Sequence, residues 1–217
     1  LGSSTGKIDE PAQTVYFGGG TPSLLSIGQV EALLAAVDLS FGLMQNAEIT
    51  LEANPGTLTL DYLRELRATG VNRLSLGVQS FSDAELAQLG RIHTCEEALK
   101  SIHWARQAGF ENLSLDLIFG LPNQSLRAWE NNLREVIRIH PEHLSLYNLI
   151  VEDGTPLAEQ IARREIPAPD DDVAADMYEL TMDFFFFFWY EQYEISSWAT
   201  SPEFESRHNK AYWQMTP

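Results

Sequence analysis

Five times along this chain an apolar, strand-like run stops at a small or hydrogen-bonding residue and a helical pattern begins. The clearest case is Val15-Tyr16-Phe17 running into Gly18-Gly19-Gly20-Thr21-Pro22-Ser23. The others are Glu48 to Glu52, Arg73 to Gln79, Leu113 to Gly120 and His143 to Asn148. Strands that alternate with helices build a parallel sheet, and polar groups gathered at the carboxyl ends of parallel strands mark where such sheets bind ligands. The pattern therefore predicts an α/β fold and the edge on which its function sits.

Strand parity sharpens the architecture. Within Arg73 to Gln79, Leu74, Leu76 and Val78 take one face and Ser75, Gly77 and Gln79 the other. The leucines of Leu113 to Phe119 oppose Ser114 and Asp116, Ile49 and Leu51 oppose Thr50 and Glu52, and Leu144 and Leu146 oppose Ser145 and Tyr147. A two-residue period places the leucines against the helices and leaves a lumen of Ser, Thr, Gly and a few long polar groups. A closed eight-stranded barrel fills its lumen with branched apolar side chains, and five such units, at about 150 residues, are too few to close one. A wide or incomplete barrel with an open lumen is expected, able to admit a bulky ligand.

The intervening helices are expected at Ser26 to Val37, Thr59 to Ala68, Ser82 to Leu89, Cys95 to Gln107 and Ser125 to Ile139, with Ser26 as an N-cap. After residue 150 the pattern changes. A short helix from Thr155 to about Arg164 precedes an acidic helix start at Asp170-Asp171-Asp172, a helix from Val173 to Phe188, and a strand from Glu191 to Ser196. The run Phe184 to Trp189 leaves its helix end with no solvent face. A partner-facing surface and a corrupted stretch of sequence both account for it. Residues 1–13 read as a disordered or cloning-derived lead, 14–150 as the barrel units, and 151–217 as C-terminal helices and a truncated accessory region.

Composition excludes several classes of partner. Asp and Glu number 31 against 14 Lys and Arg, a formal charge of -17. Such a surface repels phosphate backbones and anionic lipids, which argues against nucleic-acid binding. No apolar run reaches the ~18 residues of a membrane span. A single cysteine, Cys95, excludes an intrachain disulfide and fits a reducing, cytoplasmic setting.

Four blocks occur in order: Gly18 to Ser23, Leu51-Glu52-Ala53-Asn54-Pro55, Arg73 to Phe81, and Asp116-Leu117-Ile118-Phe119-Gly120-Leu121-Pro122. Together they resemble the oxygen-independent coproporphyrinogen III oxidase family of radical S-adenosylmethionine (SAM) proteins, over roughly residues 14 to 217. Tyr193-Glu194-Ile195-Ser196 and Arg207-His208-Asn209 are similar, within that family, to its HemW-type heme chaperone branch. The resemblance implies a partial (βα)6 radical-SAM barrel followed by the start of a C-terminal accessory region. It also implies a 4Fe-4S cluster held by a C-x3-C-x2-C loop after the family's first strand. This chain has no such loop, and Cys95 alone cannot hold a cluster. The resemblance thus implies a fragment that begins after that loop and is by itself inactive in radical chemistry, so no catalytic residue is assigned.

Carried over residue by residue, the family's SAM contacts fall on Gly19, Gly20, Thr21, Glu52, Gln79, Arg91, Asp116 and Ile150. Glycines admit close backbone approach, Glu52 suits the ligand's ammonium, and Arg91 suits its carboxylate. Gln79 and Asp116 offer hydrogen bonds to the ribose or adenosyl part, and Ile150 a backbone or packing contact to adenine. The H-N-x-x-Y pattern of the chaperone branch matches His208, Asn209 and Tyr212 and implies heme binding there, imidazole being a common axial ligand. Plainer readings stay open for each: a tight turn for the glycines, helix caps for the acids, surface pairing of Arg91 with Glu96 or Glu97, and a His-Asn loop bonded to backbone. His93, His103, His140 and His143 are expected to be structural. Two functions follow from the resemblance. One is delivery of heme or porphyrin to an acceptor protein at a membrane. The other is oxidative decarboxylation of two coproporphyrinogen propionates to vinyls. A barrel without a cluster, serving as a scaffold, is a third.

Overall fold

The computed structural model describes residues 11–214. Of the expected lead only 11–13 are described, and Ala12 and Gln13 already belong to the first strand. Strands β1 (Ala12–Phe17), β2 (Leu43–Ala53), β3 (Arg73–Gln79), β4 (Leu113–Phe119) and β5 (His143–Asn148) lie side by side in chain order and all run parallel. Strands β6 (Glu191–Glu194) and β7 (Ser197–Ala199) form a hairpin whose second strand pairs antiparallel with β5. The expected strand Glu191 to Ser196 therefore stops two residues early and turns back. Together they make a seven-stranded sheet curled into a partial barrel.

The helices between the strands start where short polar side chains satisfy the free backbone N–H groups. Helix α1 (Ile27–Phe41) and α4 (Cys95–Gln107) carry full capping boxes, Ser26 with Gln29 and Thr94 with Glu97. Thr59, Ser82 and Ser125 cap α2 (Leu60–Ala68), α3 (Asp83–Gln88) and α5 (Leu126–Ile139). Thr155 and Asp170 cap α6 (Pro156–Ala162) and α7 (Asp171–Phe187), and Ser206 caps α8 (Arg207–Trp213). Helix α1 runs one turn past the expected Val37 and ends on Gly42, whose φ of 70° suits a residue without Cβ.

The leucine faces go where parity placed them. Leu51, Leu74, Leu76, Leu113, Leu115, Leu117 and Leu144 are fully buried between sheet and helices, against Leu63, Leu66, Trp129, Leu133 and Val136. Trp129 donates its indole N–H to Thr181 Oγ1 at 2.7 Å, which fixes α5 against α7 without an unsatisfied donor. The lumen opens at its carboxyl edge. Deeper, Arg73 and His143 are buried, and His143 bridges Ser114 Oγ (2.8 Å) and the Tyr193 hydroxyl (2.7 Å). Helix α8 spans the gap between the two ends of the sheet. Ser206 N–H donates to the Tyr193 hydroxyl on β6, while the N–H groups of Arg207 and His208 donate to Glu48 on β2. In the phenylalanine run, Phe185 is buried and packs on Trp198, while Phe186, Phe187 and Trp189 are largely exposed.

Candidate functional site

A cavity of about 270 Å³ opens at the carboxyl edge of the sheet. Every parallel strand contributes to it. Gly20, Thr21 and Pro22 follow β1, Glu52 and Ala53 end β2 with Asn54 next after it, and Ser75, Gly77 and Gln79 come from β3. Asp116 comes from β4, Tyr147 from β5, and Arg91 from the loop between α3 and α4. Six of the eight expected SAM contacts thus line one cavity. Gly19 is at its edge, where its N–H donates to Glu52 Oε2 at 3.1 Å. Ile150 is 78% exposed and does not line the cavity.

The turn after β1 needs its glycines for separate reasons. Gly19 and Gly20 have φ of 80° and 63°, with open space where a Cβ would sit. Gly18 has ordinary φ, but a Cβ there would lie 2.6 Å from Tyr16 Cε1. That ring is held because the Tyr16 hydroxyl donates to Glu52 Oε1 at 2.7 Å. Both oxygens of Glu52 are therefore fixed, one by Tyr16 and one by Gly19, with lone pairs left toward the cavity. Gln79 is the wall's strained member. It is buried at φ 67°, a left-handed conformation that disfavours side chains, and a Cβ on Gly77 would press on its Nε2.

Asp116 forms the floor. Burial pushes its carboxyl up to about 6, against hydrogen bonds from Ser145 and Ser75 and the charge of Arg73 that favour the anion. Ser75 Oγ is within 3.1 Å of one carboxylate oxygen and 3.2 Å of the other. Burial, with Asp116 adding to it, likewise raises the Tyr147 phenol to about 12, so it stays a neutral donor. Two carboxylates facing one guanidinium, Arg91, beside bare glycine backbone, suit a ligand that carries an amino-acid end and an extra positive charge.

Sequence reasoning missed the support beneath this wall. Glu85, buried on α3, accepts from Ser80 Oγ (2.5 Å), Asn132 Nδ2 (3.0 Å) and Gln124 Nε2 (3.1 Å), while Asn132 Oδ1 takes the Phe81 N–H (2.6 Å). The network ties the residues that follow Gln79 to α3, α5 and the loop after β4. Its members lie up to 52 residues apart, and no local pattern joins them.

The second expected site is on α8. His208 Nδ1 hydrogen-bonds Thr14 Oγ1 at 3.0 Å, and its ring stacks on Tyr16 with centroids 4.8 Å apart. The Tyr212 ring meets it edge-on at 5.3 Å, but Tyr212 itself is 74% exposed. Burial lowers the His208 pKa, with Glu48 opposing, which favours neutral imidazole. Asn209 serves the helix start, its N–H donating to Ser206 Oγ. The other histidines have structural partners where the contacts are resolved: His93 Nε2 pairs with the Val78 carbonyl, and His140 closes α5.

A cluster finds no seat among these residues. No group of three or more His, Cys, Asp or Glu among the described residues is placed to hold a metal. Cys95 lies at the start of α4, its thiol pushed up by burial and by Asp83, the reverse of a metal-binding thiolate. Arg91 has no ion pair with Glu96 or Glu97 among the described residues.

A partial barrel of parallel strands, with glycines, acids and an amide converging at its carboxyl edge, defines an open α/β barrel with a polar cavity at that edge. Residues 5–136 match the model of the Radical SAM superfamily, and the chain belongs to that superfamily. It is 41% identical over 204 residues to "Heme chaperone HemW" of Lactococcus lactis, covering 94% of this chain and 54% of that protein. It is 43% identical to "Radical S-adenosyl methionine domain-containing protein 1, mitochondrial" of Mus musculus, covering 93% and 46%. Among solved structures it is similar to the coproporphyrinogen III oxidase HemN of Escherichia coli, described as a radical SAM enzyme. That match has TM-score 0.78 and 28% identity and covers 93% of this chain and 46% of HemN. The chain is thus a radical SAM superfamily member similar to HemW, and it spans about half the length of the curated relatives it matches.

Proposed function

We propose that this chain binds SAM in the cavity at the carboxyl edge of its sheet and heme at His208, and acts in heme delivery. The observation that carries the first part is the charge pattern of the cavity. Glu52, fixed by Tyr16 and Gly19, accepts from the ligand's ammonium, and Arg91 takes its carboxylate. Asp116 and Gln79 accept and donate to the ribose and adenosyl part, and the glycine backbone of the β1 turn lets the ligand approach. SAM carries one net positive charge, which offsets the surplus carboxylate.

In the wider family, SAM supplies a radical when a reduced cluster cleaves it. The described residues do not fit that cluster, so no radical step is derived for this chain. What remains to them is binding, orientation and exclusion of water around the ligand. For heme, the Thr14 bond to Nδ1 leaves Nε2 of His208 with no hydrogen bond among the described residues, and burial favours its neutral form. A histidine held through one ring nitrogen presents the other as an axial ligand. The name of the Lactococcus lactis relative supports delivery rather than oxidation, and an acceptor protein at a membrane is its expected recipient. No helix among the described residues is long and apolar enough to cross a membrane.

Calorimetric titration with SAM tests the cavity. Saturable one-to-one binding lost in Glu52→Ala and Asp116→Ala is expected; equal heats for all three proteins would overturn the assignment. Hemin titration tests His208. A red-shifted Soret band that His208→Ala removes is expected, and an unchanged spectrum in that variant would exclude this ligand.

A further inference from the structure

We propose that Tyr16 is a positioning residue for the cavity, through which the docking of α8 controls the orientation of Glu52. The inference deepens the SAM reading above and rests on it.

Tyr16 is held on three sides. Its hydroxyl donates to Glu52 Oε1 at 2.7 Å, its ring edge fills the space a side chain on Gly18 would need, and one ring face is covered by the His208 imidazole. The interplanar angle of that stack is 20°. His208 is itself fixed by residues of the barrel. Thr14 Oγ1 takes Nδ1, and Glu48 accepts the backbone N–H groups of Arg207 and His208 at 3.2 and 3.1 Å. Arg207 adds a bond from Nη1 to the Asn46 carbonyl at 2.8 Å. A rigid path thus runs from the N-terminus of α8 through the Tyr16 ring to the carboxylate that faces the cavity. His208 does not line the cavity, so its effect on SAM is indirect, and the stack on Tyr16 is its contact nearest Glu52.

Without its phenol donor the carboxylate keeps only the Gly19 N–H bond and is less well ordered, so the ligand must order it further on binding. A Tyr16 ring without its stacking partner holds the hydroxyl less firmly. Removing the stack costs about threefold to tenfold in affinity. Removing the charge-assisted hydrogen bond costs about tenfold or more.

The experiment is a set of SAM titrations on the 217-residue chain, with thermal melts as the control for folding. Tyr16→Phe keeps the ring and removes the donor, and should weaken SAM binding. His208→Ala should weaken it too, although it lies outside the cavity, and should have no further effect in the Tyr16→Phe background. His208→Phe restores a planar ring over Tyr16 and should recover most of the SAM affinity while still failing to bind hemin. That rescue separates stacking from a general loss of stability. Thr14→Val, which keeps the imidazole but frees it, should move affinity in the same direction by less. If Glu52→Ala abolishes binding while Tyr16→Phe and His208→Ala leave it unchanged, the inference falls and the SAM reading stands. If wild type does not bind SAM, both fall together.

Discussion

Asp116 makes the fold harder to keep at neutral pH, and the size of that effect can be worked from its surroundings. Its carboxyl stands at about 6 in the fold against 3.8 ordinarily, chiefly because burial disfavours the anion. Ionising it there is about 3 kcal/mol harder than in the unfolded chain. A folded-state pKa above the unfolded one gives stability that is complete below the unfolded value and lost as pH rises through the folded value. Asp116→Asn stays neutral throughout. The stability of the variant relative to wild type should therefore rise by up to about 3 kcal/mol between about pH 4 and about pH 7, then level off. Urea unfolding of both proteins across that range measures it, because carboxylates away from the site titrate alike in the two and cancel in the difference. A difference that stays constant, or falls as pH rises, would refute the reasoning. It would mean that the Ser75 and Ser145 hydrogen bonds and the charge of Arg73 match burial, or outweigh it if the difference falls. Saturating SAM should shrink the rise, since a cation above the floor favours the ionised carboxyl.

Glu85→Ala removes the acceptor of three buried donors, Ser80, Gln124 and Asn132. A loss on the order of 3 kcal/mol in denaturant unfolding is expected, and one under about 1 kcal/mol would show that the network repairs itself with water. Phe186 and Trp189 are 81% and 85% exposed at the end of α7, so the isolated chain should self-associate as concentration rises. Replacing both with Glu should shift light scattering toward monomer; a wild type that is already monodisperse at high concentration would refute this.

The parallel strands were legible because each carries its own two-residue alternation and its own small or polar stop. The lumen set Glu52, Ser75, Asp116 and Tyr147 followed from that parity alone. The β6–β7 hairpin was not legible as such. Its turn at Ile195-Ser196 contains neither Gly nor Pro, and Trp198 is fixed by burial against Tyr178 and Phe185 rather than by a local pattern. Tyr16 could have been suspected, since it shares the lumen parity of Thr14 while Val15 and Phe17 pack on the core. What no local signal announces is the Glu48 contact to α8, made across 159 and 160 residues. The lumen's polar composition suggested an open cavity, and one opens at the carboxyl edge, whereas the hydrogen bond between His143 on β5 and Tyr193 on β6 had no local signal.

Gln79 holds its amide in the cavity wall at a backbone angle that glycine or asparagine would adopt at lower cost. A selection of variants for thermal stability alone should therefore drift toward glycine at this one position and lose ligand affinity as it does. A selection that demands binding should hold the glutamine. The same residue would read as a flaw to a protein engineer who wanted a robust barrel, and as the place to leave alone to one who wanted a working pocket.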